Sequence, residues 1–318
     1  MNIFIKKISL FIAILILLLV GLSIPKIPED FVCYKFQKTQ YNKISWFLKM
    51  ASEGKFKERK YNSVFLGSSQ CYYAINDSIL GSGYLNLGMN TPSRDLDLYL
   101  KEKFIFSGGN SESYIVILGN GKVVSFGLHP LIPYLVNPTW LLSKGQSIFS
   151  VHFWKYIIKR VQVLFEYLSW CLTVNGQNYT LHSRDYGVGY LDRTTAKKQM
   201  VNIKDFDSDN ESYMNVNAVS LFDELRHNTR SQWNFIHYSE KLIKNKYLIV
   251  PGFQSSNSFS LMTQELMRLN QDKTFIHFKN DKIESILNDP IYWADQGHLN
   301  RKGAIQFTKG LLLNNLVK

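Results

Sequence analysis

The chain is expected to fold as an α/β protein, a three-layer α/β/α sandwich with a mainly parallel sheet and an N-terminal transmembrane helix. Three observations predict this. Short apolar runs rich in β-branched and aromatic residues recur at 61–66, 84–88, 114–118, 246–251 and 274–278. Helical patterns lie among and after them, at 94–104, 216–226, 233–244, 262–270 and 304–314, and such alternation builds a helix-covered parallel sheet. Finally, residues 8–24 form an uncharged apolar run of a different character from the rest.

That run holds 17 residues without a charge, preceded by Lys6 and Lys7 and closed by Pro25 and Lys26. At 1.5 Å per residue it would extend about 26 Å, within the range of a membrane-spanning helix. Two uses compete: a cleaved signal peptide and a retained anchor. The run is long for a signal peptide's apolar region, and no small-x-small cleavage site follows it, which favours an anchor over residues 1–25. With Lys6 and Lys7 on the inner side, the bulk of the chain lies outside. The expected location is therefore the plasma (inner) membrane, single-pass, with an extracytoplasmic domain. Residues 26–60 read as a charged and aromatic stalk with a short helix at 42–50, leading into a domain over 61–318.

The strand at 61–66 runs into Gly67-Ser68-Ser69-Gln70, and Tyr72, Tyr73, Ile75 and Leu80 then suggest a turn and a helix. A serine just past a strand is presented at the carboxyl edge of a sheet. There the free N–H groups and positive dipole end of the next helix can stabilise an oxyanion. Either serine could instead simply cap that helix. The strand at 84–88 ends in Gly88, and the strand at 114–118 leads into Gly119-Asn120-Gly121.

From about 126 to 235 the pattern is less regular and reads as an insertion. Pro130, Pro133 and Pro138 break its first part. Residues 151–173 then place Phe153, Ile157, Val161, Leu164 and Leu168 at helical spacing, opposite Lys155, Lys159, Gln162, Glu166 and Ser169. A helix of this kind packs on its own domain or lies on a membrane surface. Residues 185–217 are polar and loop-like. Near the C-terminus stands Asp295-Gln296-Gly297-His298-Leu299-Asn300, just before the closing helix. A carboxylate three residues before a histidine can hold the imidazole Nδ1 and leave Nε2 to take a proton from a nucleophile. A surface loop can also carry the two residues without using them so.

Together the two ends resemble the SGNH (GDSL-type) hydrolase family. Phe65-Leu66-Gly67-Ser68-Ser69 is similar to that family's first Gly-Asp-Ser block, with Ser68 in the aspartate's place, and Asp295-x-x-His298 is similar to its last block. The Gly-Ser-Ser variant resembles the membrane-anchored branch, including DltD-like and alginate O-acetylation-type proteins. The resemblance implies an SGNH/flavodoxin-like fold with Ser69 as nucleophile, His298 as base and Asp295 as its orienter. It also implies an oxyanion hole from the Ser69 and Gly88 N–H groups and the Asn120 side chain, although the spacing around Asn120 departs from the family's Gly-x-Asn-Asp block. A membrane-anchored extracytoplasmic serine esterase or O-acyltransferase is then expected, adding or removing acetyl groups on a cell-envelope glycan. A membrane-bound acyltransferase or polysaccharide-assembly complex would be a natural partner. The alternatives are a lipid or small-ester esterase at the membrane surface and an inactive SGNH-like binding or assembly subunit.

Charge and the remaining residues narrow the classes further. The net charge of +12 favours anionic surroundings such as phospholipid headgroups or acidic glycans. No recognised nucleic-acid motif accompanies it, and the outside topology disfavours such a partner. Cys33, Cys71 and Cys171 leave room for at most one bridge and give no scaffold. The histidines other than His298 lack metal-ligand spacing, so neither metal nor cofactor is expected.

Overall fold

A computed structural model describes residues 2–37, 39–67, 69–90, 94–118, 129–173, 245–249, 275–276, 281–295 and 298–313. The expected helices at 216–226, 233–244 and 262–270, and the expected loop at 185–217, lie outside the described residues. The chain divides into two compact units, Met1–Leu48 with Phe126–His182, and Lys49–Ser125 with Ser183–Lys318.

In the first unit, α1 (Asn2–Ser23) is followed by α2 (Glu29–Phe36), which lies within the stretch expected to be a stalk. The helix α2 exists because Phe31, Val32, Cys33 and Phe36 fall on one buried side, with Glu29 and Asp30 in its first turn, where acidic groups suit the helix dipole. After α3 (Lys43–Ser52) in chain order, the unit continues with α7 (Ile132–Leu135), α8 (Pro138–Ser143) and α9 (Val151–Thr173). The helix expected at 151–173 is therefore present, with Phe153, Tyr156, Ile157, Arg160, Val161 and Val163 buried. Arg160 is 2% exposed and donates to the carbonyls of Ser23, Pro25 and Pro133. It thereby satisfies orphan carbonyls at and just beyond the end of α1 with a cation, which also suits the negative end of the helix dipole.

Among the described residues, no helix is long and apolar enough to cross a membrane. Residues 8–23 of the span expected at 8–24 lie in α1. Leu10, Phe11, Ile14, Leu17 and Leu18 on that helix are exposed.

Among the described residues, the second unit is a mixed α/β structure around a five-stranded sheet in which every pairing is parallel. Its strands are β1 (Lys60–Gly67), β2 (Tyr84–Asn86), β3 (Asn110–Leu118), β4 (Asn245–Ile249) and β5 (Phe275–Ile276), in the order β2-β1-β3-β4-β5. In such open sheets the order reverses beside the first strand, and ligands bind at the carboxyl ends there. The register pairs Val64 with Leu85 and Tyr114, and Gly67 with Ile117.

Alternation along the strands feeds both faces. Phe65, Ile115 and Ile117 share a core with Cys71, Ala74 and Ile75, with Ile283, Ile286 and Leu287, and with Phe307 and Leu311. These come from α4 (Ser69–Ala74) and its C-terminal flank, which leads into α5 (Asp77–Leu80), from α10 (Asp281–Asn288) and from α11 (Arg301–Leu313). In α6 (Arg94–Phe106), Phe104 sets its ring against Tyr61 and Tyr114, while Lys101 lies over the Tyr114 ring. Burial pulls the Lys101 ammonium down to about 8. The expected strand at 84–88 stops at Asn86, although Leu87 and Met89 still donate to the Phe65 and Gly67 carbonyls. The reason is local: the Gly88 N–H turns to the Asn86 side chain.

Candidate active site

The carboxyl end of β1 builds the site's first half. Gly67 has φ of 128°, a conformation that favours glycine, and a side chain there would run into the backbone of Ile117 on β3. The chain can therefore leave the sheet sharply and enter α4 at Ser69. Both polar groups of Gly67 are held, its carbonyl by the Met89 N–H at 3.1 Å and its N–H by Asp97 Oδ1 at 3.1 Å. Asp97 belongs to the first turn of α6. It is half-buried as a residue, yet burial pushes its carboxyl up to about 7, with the Gly67 N–H acting in the other direction.

The second half comes from a hairpin of β6 (Trp293–Asp295) and β7 (His298–Leu299), an antiparallel pair in which Asp295 stands opposite His298. Asn300 fixes this hairpin. Its Nδ2 donates to the Ile291 and Trp293 carbonyls, at 2.7 and 3.2 Å, and its Oδ1 accepts the Gly303 N–H at 2.9 Å. One buried carboxamide thus holds the hairpin and caps α11. The helix is tied in turn to α4: the Thr308 hydroxyl donates to the Ala74 carbonyl and accepts the Asn76 N–H.

These supports bring two residues 229 positions apart into contact. Nε2 of His298 lies 2.8 Å from Oγ of Ser69. Both are half-buried, so the pair is shielded but reachable. The Tyr73 ring meets the imidazole edge-on, with centroids 5.2 Å apart, and limits its tilt. With Nδ1 protonated, Nε2 can accept the serine proton, the arrangement that activates a hydroxyl for nucleophilic attack.

The other expected site residues stand differently. The backbone of Asp295 is the cross-strand neighbour of His298, and its side chain lies outside the described residues. Ser68 and Asn120 also lie outside them. Gly88 is buried beside α4, where a Cβ would come within 2.6 Å of the Cys71 Cβ. Its N–H is donated to Asn86 Oδ1 at 2.8 Å. Asn86, fully buried, also donates to the Cys71 and Ile75 carbonyls at 3.0 and 2.7 Å, locking the Gly88 loop to the helix that starts at Ser69.

Sequence reasoning gave no role to Asn86, Asp97 or Asn300. The signal for Asn86 was a carboxamide inside an apolar run, and for Asn300 a cap residue directly before a helix. Nothing local marks Asp97. The three cysteines are free, with Cys33 and Cys71 buried and Cys171 exposed. Among the described residues, no group of three histidine, cysteine or acidic side chains could hold a metal ion.

The fold and site thus define a parallel α/β unit with a serine–histidine pair at the carboxyl edge of its sheet. No family model matches the chain, and no curated protein matches it.

Proposed function

We propose that this chain is a membrane-anchored, extracytoplasmic serine esterase or O-acyltransferase, built on a three-layer α/β/α sandwich of the SGNH type. The observation that carries the reading is the 2.8 Å contact between Ser69 Oγ and His298 Nε2 at the start of α4. The Ser69 oxygen attacks an ester carbonyl while its proton passes to Nε2. The alcohol leaves with that proton, and an acyl group stays on Ser69. Water or an acceptor hydroxyl, deprotonated by the same nitrogen, then attacks the acyl carbon and frees the serine. Asp295 is the orienter of the imidazole in this scheme.

The Ser69 N–H, the Gly88 N–H and the Asn120 side chain are the proposed oxyanion donors. Gly88 joins them only by leaving Asn86 Oδ1, which it bonds in the resting geometry. That bond is the one observation that favours the alternative, a binding or assembly subunit without turnover.

The exposed apolar side chains of α1, after Lys6 and Lys7, support anchoring by residues 8–24. The anchor and the Gly67-Ser68-Ser69 turn, similar to those of the branch that modifies cell-surface polysaccharides, favour an acetylated envelope glycan as substrate, with a lipid or small ester the second choice. A membrane-bound acyl donor or polysaccharide-assembly complex fits the transfer mode. The test is release of acetate from an O-acetylated polysaccharide and from p-nitrophenyl acetate by the detergent-solubilised full chain. Turnover that disappears in Ser69→Ala and in His298→Ala is expected. Binding of the polysaccharide without turnover of either ester would replace the enzyme with the binding subunit.

A further inference from the structure

We propose that Asp97 is the positioning residue of the Ser69 turn, supplying from α6 the carboxylate brace that the turn itself lacks. This rests on the reading of Ser69 as nucleophile and goes beyond it. In the turn the chain carries Ser68, a short neutral side chain, between Gly67 and Ser69. No acidic residue occurs from 60 to 76, so a carboxylate can reach this turn only from elsewhere in the fold. Asp97 does so across 30 positions, accepting the Gly67 N–H at 3.1 Å.

The geometry makes this bond consequential for the nucleophile. Gly67 is the last residue of β1, and its positive φ turns the chain out of the ladder. Beside it β2 has already ended at Asn86, so the Gly67 N–H needs a partner from another element. Asp97 provides it on one side, while the Met89 N–H holds the Gly67 carbonyl on the other. Gly67 is therefore held at both its N–H and its carbonyl two residues before Ser69. Leu96 and Leu98 are buried on either side of Asp97, which seats the carboxylate on a packed element rather than on a free arm. A small displacement of the turn would move Ser69 Oγ out of its 2.8 Å contact with His298. Errors of about 1 Å in such positioning can cost on the order of 100-fold in rate.

The role needs an acceptor oxygen rather than a negative charge. Asparagine keeps that oxygen at nearly the same place, and alanine removes it. The experiment uses the full chain in detergent micelles as wild type, Asp97→Asn and Asp97→Ala. It measures the rate of fluorophosphonate attachment at Ser69 and the hydrogen exchange of the Gly67 amide, both by mass spectrometry. Asp97→Ala is expected to slow labelling by about 10- to 100-fold and to speed exchange at Gly67. Asp97→Asn is expected to stay within about threefold of wild type in labelling, a rescue that a loss of charge would not allow. Wild-type labelling in Asp97→Ala, or labelling in Asp97→Asn as slow as in Asp97→Ala, overturns the inference and leaves the nucleophile standing. If Asp97→Ala does not fold, Asp97→Asn decides through both readouts, with fast Gly67 exchange or slow labelling counting against the proposal. A wild-type chain that never labels at Ser69 removes the nucleophile, and this inference with it.

Discussion

At the scale of single residues, Gly88 and Asp97 each fix part of the site's frame. Gly88 is confined because a methyl group there would meet the Cys71 Cβ at 2.6 Å and the Tyr72 N at 2.7 Å. Gly88→Ala should force the β2 loop away from α4 and cost about 1–3 kcal/mol, the usual range for overpacking. Urea unfolding read by circular dichroism checks this, and an unchanged midpoint would contradict it. Asp97 adds a pH dependence whose sign is fixed. Its carboxyl is raised from 3.8 to about 7 in the folded chain, chiefly by burial. The folded state then holds the proton more tightly than the unfolded state, so this group stabilises the fold at low pH. That contribution is lost as pH rises from about 4 through about 7. Asp97→Asn should flatten this part of the stability profile, and an unchanged slope between pH 4 and 7 would refute the assignment.

At the scale of elements, Asn300 holds the histidine hairpin and α11 together. Asn300→Ala removes the α11 cap and the donors to the Ile291 and Trp293 carbonyls together. Orphaned buried groups of this kind cost about 1–3 kcal/mol. The same change should loosen His298 and slow ester turnover more than it shifts the apparent substrate affinity. Steady-state kinetics on p-nitrophenyl acetate distinguish the two, and an effect confined to KM would contradict the prediction. In the other unit, Arg160→Met strands the Ser23, Pro25 and Pro133 carbonyls. Hydrogen exchange and limited proteolysis should then report earlier opening around 23–28. Protection equal to wild type there would show that α1 is held by something else.

At the scale of the whole molecule, the sequence announced the ends of the sheet better than its supports. The strands at 61–66 and 114–118 and the closing helix were legible because each carries its own period and its own turn residues. Ser69 and His298 were legible for the same reason, since each sits beside a local mark, Gly67 in one case and Asp295 three positions earlier in the other. Asn86 and Asp97 were not, because their work is done on residues up to 30 positions away. The helix α2 was hidden for a related reason: its charges read as a stalk until Phe31 and Phe36 found aromatic partners in Tyr134, Tyr167 and Trp170.

Activation of Ser69 by His298 can be read chemically at the serine itself. The detergent-solubilised full chain is treated with a fluorophosphonate and the adduct is located by peptide mass spectrometry. One adduct is expected, on Ser69, absent from Ser69→Ala and slowed by about 100-fold or more in His298→Ala, the scale on which a positioned general base acts. No adduct on the wild-type chain, or an adduct that persists on the same peptide in Ser69→Ala, would contradict it.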